Sequence, residues 1–210
     1  MGSETQEQNN SIGHPLERKL NASARDILDA IGSGFRAQVD VKGKLAELYL
    51  FRALEELQKQ GLISELQWSD TDGEPDFSLW YKGHRLTVQC KNVRSGGQHC
   101  KGAEIGSFRV ELQKTRGGID PRTGDKTRLY RPDEFDVVAV CLFNQKGVWQ
   151  YVYAAAKDLA RRRTQPDRLE VMHPISLPTA PPWHDDLLEV LETVRASVPA
   201  IPQSRVGLCR

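Results

Sequence analysis

The sequence predicts a mixed α/β fold in which one β-sheet is flanked by helices. Three observations predict it: a long amphipathic helical pattern at residues 42–60, a series of short alternating patterns after it, and a continuously apolar run at residues 137–143. A chain of 210 residues is long enough for one sizeable hydrophobic core. We therefore expect one α/β domain with additions at both ends.

The helices are predicted from apolar spacing and from the residues that begin and end them. The segments with helical spacing are residues 15–32, 42–60, 154–163 and 185–197. For the long helix, Asp40 is the expected N-cap and Gly61 the expected stop, because these residue types favour those positions.

The strands are predicted from alternation of apolar and polar residues between turn-forming residues. The segments are residues 62–68, 76–81, 85–93, 108–112, 134–143 and 148–153. A proline-rich stretch begins at Pro174. We expect residues 15–173 to form the domain, and residues 174–210 to form a connector and a C-terminal helix packed on or beside it.

Composition excludes some classes of protein and leaves others open. The chain has 29 Lys and Arg against 28 Asp and Glu, so only local clustering can indicate a nucleic-acid partner. The apolar run at residues 137–143 is far too short to span a bilayer. Residues 1–14 lack the apolar core of a secretion signal and predict a disordered tail. The scattered cysteines, without C-x-x-C spacing, favour reduced thiols and a cytoplasmic location.

The second and third predicted strands form a hairpin whose faces differ sharply. If the chain turns at Gly83-His84, Asp76 lies opposite Lys91 and Ser78 lies opposite Gln89. One face is then apolar, while the other carries a carboxylate, an amide and an amine. A shift of one residue would mix the two sets, so the pattern determines the faces. The alternative is an ordinary half-exposed hairpin with a polar outer face.

The residues of this hairpin and of the helix before it resemble the motif of a known family. Pro75-Asp76, followed by Gln89-Cys90-Lys91 on the next strand and preceded by Glu47 on a helix, resembles the PD-(D/E)XK nuclease superfamily. Gln89 replaces the usual acid, as in the Q-x-K variant of Mrr-type restriction endonucleases. The resemblance covers residues 40–153. It implies a restriction-endonuclease-like mixed β-sheet core flanked by helices, and a metal-dependent endodeoxyribonuclease.

The resemblance also implies a role for each residue. Mg²⁺, for which Mn²⁺ can substitute, would bind to Asp76, to the side-chain carbonyl of Gln89, to the backbone carbonyl of Cys90, and to Glu47 directly or through water. Lys91 would orient or help deprotonate the attacking water and stabilise developing negative charge. The candidate catalytic residues are thus Asp76, Gln89, Lys91 and Glu47. The alternatives are a surface ion pair between Lys91 and Asp76, and ordinary polar positions for Gln89 and Glu47.

A basic segment provides a second functional signal. Residues 114–131 combine cationic side chains with glycine and proline, which is typical of a loop that contacts DNA phosphates without selecting sequence. The candidate nucleic-acid contacts are Gln113, Lys114, Arg116, Arg122, Lys126 and Arg128. A solvated loop with incidental charge is the alternative.

Two functional hypotheses follow. The first is a Mg²⁺-dependent DNA endonuclease of restriction or anti-phage defence, acting as a homodimer or within a larger complex. A structure-specific repair or junction nuclease is a variant of it. The second hypothesis is a catalytically inactive nuclease fold that serves as a DNA-binding or assembly module, and the replacement at Gln89 is its main support.

Overall fold

A computed structural model describes residues 13–95, 107–114, 117, 119, 124 and 128–197. The predicted tail, except for its last two residues, lies outside this part of the chain. The internal contacts divide the chain into two units, Met1–Lys42 and Gly43–Arg210. No helix within the described ranges is long and apolar enough to cross a membrane.

The first unit is helical. Its elements are α1 (Pro15–Leu20), α2 (Ala24–Ser33) and the beginning of α3 (Phe35–Lys59). The single helix predicted here is interrupted because Asn21 adopts a left-handed conformation, with φ of 48°, and Ser23 then caps α2 by accepting a hydrogen bond from the Asp26 amide at 3.1 Å. The predicted N-cap at Asp40 is wrong. It lies inside α3, which begins at Phe35 because no proline interrupts residues 35–42.

The second unit is built on a five-stranded sheet. The strands in chain order are β1 (Ser64–Trp68), β2 (Phe77–Tyr81), β3 (His84–Asn92), β4 (Ser107–Glu111), β5 (Val137–Cys141), β6 (Tyr151–Ala155), β7 (Arg161–Arg162), β8 (Gln165–Leu169) and β9 (Met172–Ser176). The helices after α3 are α4 (Phe143–Lys146) and α5 (Leu187–Arg195). The sheet order is β1-β2-β3-β5-β6, with β3 and β5 parallel and the other neighbours antiparallel. The predicted mixed α/β fold, a central sheet flanked by helices, is confirmed.

One predicted helix is wrong. Residues 154–163 instead complete β6, make a short 3-10 turn at Ala156–Asp158 and enter β7, which pairs with β8. The alanines of this segment favour a helix locally, but pairing with β5 buries every residue of β6. Part of the predicted connector also forms a strand, since Pro174 lies in β9 and pairs with β4.

The hairpin between β2 and β3 has a different register from the predicted one. Its turn is Lys82-Gly83, and both residues have positive φ, 46° and 82°. This is the backbone of a tight two-residue turn that matches the twist of the strands. Phe77 therefore pairs with Val88, and continuing the register places Asp76 opposite Gln89 rather than Lys91. Because the error is two residues and side chains alternate with period two, both predicted faces survive it.

The sheet separates two hydrophobic clusters. The first lies against α3 and α5 and contains Leu50, Leu54, Leu79 and Val88. The second lies on the opposite face. Its members include Val110, Leu112, Tyr130, Val138, Val140, Leu169 and Ile175. Gln89 pairs with Val138 and Lys91 with Val140, so the polar face of β3 is directed toward the second cluster. The candidate site therefore forms at the border of a core.

Hydrogen bonds from β3 to a carboxylate just before β5 allow a prediction about stability. Asp136 accepts hydrogen bonds from the Thr87 amide and hydroxyl, both at 2.8 Å. We expect Asp136→Ala to lower the free energy of unfolding by about 1–3 kcal/mol, because two partly buried donors lose their acceptor. The matched control is Asp133→Ala, which removes an exposed ion pair with Arg131 and should cost under about 1 kcal/mol. Equal losses in urea titrations of the two variants would contradict the prediction.

Candidate active site at the open end of the hairpin

Asp76 is held in place by backbone and side-chain contacts just before β2. Its Oδ2 accepts a hydrogen bond from the Cys90 amide at 2.7 Å and another, shorter one from Nε2 of Gln89. Its own carbonyl accepts a hydrogen bond from the Ser69 amide at 2.9 Å, which ties it to the end of β1. Gln89 is buried, with 6% of its surface exposed. The carboxylate is thus oriented by β3.

The electrostatic setting of Asp76 is unusual for a carboxylate. Burial raises the pKa of Asp76 to about 6, and the negative charge of Glu47 acts in the same direction. The hydrogen bond from Cys90 and the positive charges of Lys91 and Lys44 oppose this rise. A carboxyl group that titrates near neutrality is typical of a functional site, although buried ion networks produce similar shifts.

Lys91 lies on the same face as Asp76 and is partly buried. Burial lowers the pKa of Lys91, and the charge of Asp76 partly counters this effect. Its Nζ lies 5.2 Å from the centre of the Tyr130 ring, within the range of a cation–π contact. The structure thus brings Asp76, Gln89 and Lys91 together, as the alternation of the hairpin predicts.

Glu47 reaches the same region from α3. Its Oε2 accepts hydrogen bonds from Nζ of Lys44 at 2.9 Å and from the indole nitrogen of Trp68 at 3.2 Å. Only 15% of its side chain is exposed. Lys44 also donates to Asp70, at 2.5 Å. Glu47 is therefore oriented beside Asp76, and its charge is close enough to affect the pKa of that group.

Sequence reasoning missed two residues of this site, Tyr130 and Glu134. Nζ of Lys114 lies 5.5 Å from the Tyr130 ring centre, so Lys91 and Lys114 share one aromatic ring. Lys114 also pairs with Oε1 of Glu134 at 2.9 Å. Within the described part of the chain, Oε2 of Glu134 is buried and accepts no hydrogen bond. An acid just ahead of the buried β5 is visible in the sequence, but its ion pair with Lys114 depends on the tertiary structure.

The basic segment is described only in part. Gln113 makes a bridge with Leu129, and the Lys114 amide donates to the Arg128 carbonyl at 2.9 Å. The guanidinium of Arg128 is exposed and donates to the Lys114 carbonyl at 3.3 Å. Three further predicted contacts, Arg116, Arg122 and Lys126, lie outside the described residues.

Cys90 contributes its backbone and not its thiol. Its side chain belongs to the hydrophobic cluster that faces α3, on the apolar face of the hairpin. Burial raises the pKa of the Cys90 thiol, and the charge of Asp76 raises it further. A thiol of this kind is a poor nucleophile at neutral pH.

The oxygen donors of the site can be compared with the needs of Mg²⁺. Among the described residues, no three His, Cys, Asp or Glu side chains gather into a group that could hold a metal ion. Two carboxylates, Asp76 and Glu47, repel each other electrostatically, and a cation relieves that repulsion. Mg²⁺ accepts one or two carboxylates and keeps several waters, so this donor set fits it. In this structure Nε2 of Gln89 donates a hydrogen bond to Asp76. The side-chain amide of Gln89 must rotate before its carbonyl oxygen can bind a metal ion.

Comparison with known proteins finds a weak structural similarity and no family. No family model matches the chain, and no curated protein matches it in sequence. Among solved structures, a bacterial homing endonuclease, I-Ssp6803I, is similar with a TM-score of 0.39 and 18% identity, covering 56% of this chain and 69% of that chain. A similarity at this level does not assign a family or a function to the chain.

Proposed function

We propose that this protein is a metal-dependent nuclease that hydrolyses phosphodiester bonds of DNA. One observation carries the proposal: Asp76 and Lys91 lie on one face at the open end of one hairpin, with the carboxylate of Glu47 beside them. Two carboxylates can hold a cation, and a neighbouring lysine can act on a water and on the phosphate.

Each residue of the proposed site has a distinct role. A bound Mg²⁺ or Mn²⁺ supplies Lewis-acid stabilisation of charge on the phosphate. Asp76 and Glu47 hold the cation with their carboxylates, and the Cys90 carbonyl and Gln89 are the proposed neutral oxygen donors. The amide of Gln89 orients the Asp76 carboxylate through a hydrogen bond, and it would rotate to offer its oxygen to a cation. The Cys90 amide holds the same carboxylate independently of Gln89.

Lys91 acts on the attacking water. Because burial lowers its pKa, a larger fraction of its amine is neutral at pH 7 than for a solvated lysine. The neutral amine accepts a proton from the water at Nζ, and the resulting ammonium stabilises negative charge on the phosphate. The Tyr130 ring, 5.2 Å from Nζ, restricts where that ammonium can lie.

The direct test is cleavage of supercoiled plasmid and of linear duplex by the purified protein, with Mg²⁺, Mn²⁺ or EDTA. We expect nicking or linearisation with either metal and none with EDTA. The second candidate function is a DNA-binding or assembly module without catalysis, which is favoured by the neutral Gln89 at the position of an acid. DNA binding without cleavage under any of these metal conditions would select that candidate.

We also propose a cellular role for the nuclease. The Q-x-K pattern at Gln89-Cys90-Lys91 is the support for restriction or anti-phage defence in the cytoplasm, with the chain acting as a homodimer or within a larger complex. A repair or junction nuclease is the variant. Protection of cells against phage by the wild type, and not by a cleavage-deficient variant, is the outcome that supports defence.

A basic residue offers a test of DNA contact that does not depend on cleavage. We expect Arg128→Ala to weaken DNA binding and to reduce the slope of log affinity against log salt by about one, because one phosphate contact is lost. The control is Arg85→Ala, which removes another exposed arginine at the turn end of the hairpin. The prediction fails if both variants change the slope equally, since general charge then explains the effect.

A further inference from the structure

A depression lies beside the proposed active site and has no role in the function proposed above. Its lining residues are Lys44, Trp68 and Asp70, and its volume is about 290 Å³. That space accommodates a planar ring of the size of a nucleobase.

Trp68 forms an aromatic wall of this depression. Its ring packs against Phe51 and Phe77, with centroid distances of 5.4 and 5.9 Å, and its indole N–H donates to Glu47. These contacts restrain the ring, yet 37% of Trp68 remains exposed. A large aromatic surface that is restrained and accessible costs little conformational entropy when it binds another ring.

The rim of the depression carries groups of both charges. Nζ of Lys44 donates hydrogen bonds to Asp70 at 2.5 Å and to Glu47 at 2.9 Å. Lys44 is a donor for phosphate or for base carbonyls, while the Asp70 carboxylate accepts from exocyclic amines. An aromatic wall with a donor and an acceptor at its edge matches the chemistry of a nucleobase.

The depression is also close to the proposed chemistry. The Ser69 amide, next to Trp68, donates to the Asp76 carbonyl at 2.9 Å. Glu47 accepts from both Trp68 and Lys44. The backbone of Asp76 and the side chain of Glu47 thus contact the residues around the depression, which places it next to the proposed active site.

We propose that this depression binds an unpaired nucleobase from a nucleotide beside the cleaved phosphate. The proposal rests on the proposed nuclease function, which it narrows to DNA with unpaired bases, such as bulges, flaps and single strands. A base within an intact duplex is covered on both faces by its neighbours and cannot stack on Trp68 unless it leaves the helix.

The test compares two DNA duplexes that differ by a single base. One duplex carries one unpaired adenine at its centre, and the other carries an abasic residue at the same place. Binding is measured by fluorescence anisotropy with Ca²⁺, which takes the same kind of oxygen ligands as Mg²⁺, and the DNA is checked for integrity afterwards. We expect the wild type to bind the first duplex about 5- to 100-fold more tightly, the range of one base–aromatic stack.

Variants of Trp68 show whether the preference for the unpaired base depends on its ring. In Trp68→Leu the affinity ratio of the two duplexes should fall to about one, whereas Trp68→Phe should keep most of it because the aromatic ring remains. Trp80→Leu is the matched control, since Trp80 is 36% exposed and lies elsewhere on the hairpin. It should leave the ratio unchanged. The ratio is measured on folded protein and is insensitive to a fraction that fails to fold.

Each outcome bears on one proposal. A wild-type ratio of one, or a ratio that Trp68→Leu leaves unchanged, overturns the base-binding site. If Trp68→Phe loses cleavage but keeps the ratio, base binding stands and the indole hydrogen bond to Glu47 is what cleavage needs. A ratio that depends on Trp68, without metal-dependent cleavage of either duplex, would sustain base binding and reject the nuclease.

Discussion

Replacing Lys91 by alanine is expected to lower the rate of metal-dependent DNA cleavage by about 10²–10³-fold, the usual cost of removing one group that stabilises transition-state charge. The amine is partly buried beside Asp76, so bulk solvent is a poor substitute for it. Lys91→Arg should not restore the rate, because a guanidinium does not give up its proton at neutral pH. Initial rates of plasmid nicking measure the effect.

The control for Lys91 lies on the same hairpin. Lys82→Ala removes an exposed lysine of the turn, which pairs with Glu192, and should leave the cleavage rate within about twofold of the wild type. Thermal unfolding of both variants shows whether they are folded. Cleavage by Lys91→Ala at the wild-type rate would remove this lysine from the proposed mechanism.

Replacing Asp76 by asparagine is expected to abolish cleavage and, in EDTA, to stabilise the folded protein. The amide can still accept from the Cys90 amide, but it carries no buried charge to desolvate. The pKa of Asp76 is about 6 in the folded state against an ordinary value of 3.8, so ionisation favours the unfolded chain. A shift of this size corresponds to at most about 3 kcal/mol, and we expect a gain of about 1–3 kcal/mol at pH 8 because Lys91 loses a partner.

The contribution of Asp76 to the free energy of unfolding depends on pH, and this dependence determines which pH values the experiment compares. The destabilisation from Asp76 is absent below pH 3.8, develops between pH 3.8 and about 6, and is complete above that range. Urea unfolding of wild type and Asp76→Asn should therefore give similar stabilities near pH 4 and diverge toward pH 8. Added Mg²⁺ should stabilise the wild type and not the variant, since only the wild type keeps both carboxylates. A variant that is less stable at pH 8 would contradict the prediction.

The sequence predicted the polar face of the hairpin correctly despite an error in its register. Alternation places Asp76, Gln89 and Lys91 on one side whether the strands pair as predicted or two residues away, because the period of a strand is two. The error came from the turn, where Lys82 adopts a positive φ that non-glycine residues seldom take. The tight turn determines which residue lies opposite Asp76, and that residue is Gln89.

The surroundings of the site could not be predicted in the same way. Tyr130 is far from Lys91 in the chain, and it approaches Lys91 because β3 and β5 pair in parallel. Glu134 is joined to this region through its ion pair with Lys114. Parallel pairing requires a crossover connection, whose path is not encoded in local alternation. The depression at Trp68 likewise depends on α3 packing beside the end of β1, which joins Glu47 to the indole.

By itself, the sequence determined the class of the fold, the two faces of the hairpin and the candidate residues Asp76, Gln89, Lys91 and Glu47. These follow from short-range periodicity and from a resemblance of neighbouring motifs. Tertiary structure alone decided the turn, the continuation of β6 through Ala154 and Ala155, and the pKa values of the site. The physical reason is that a pKa depends on burial and on charges that are distant in the chain, and both exist only after the elements have packed.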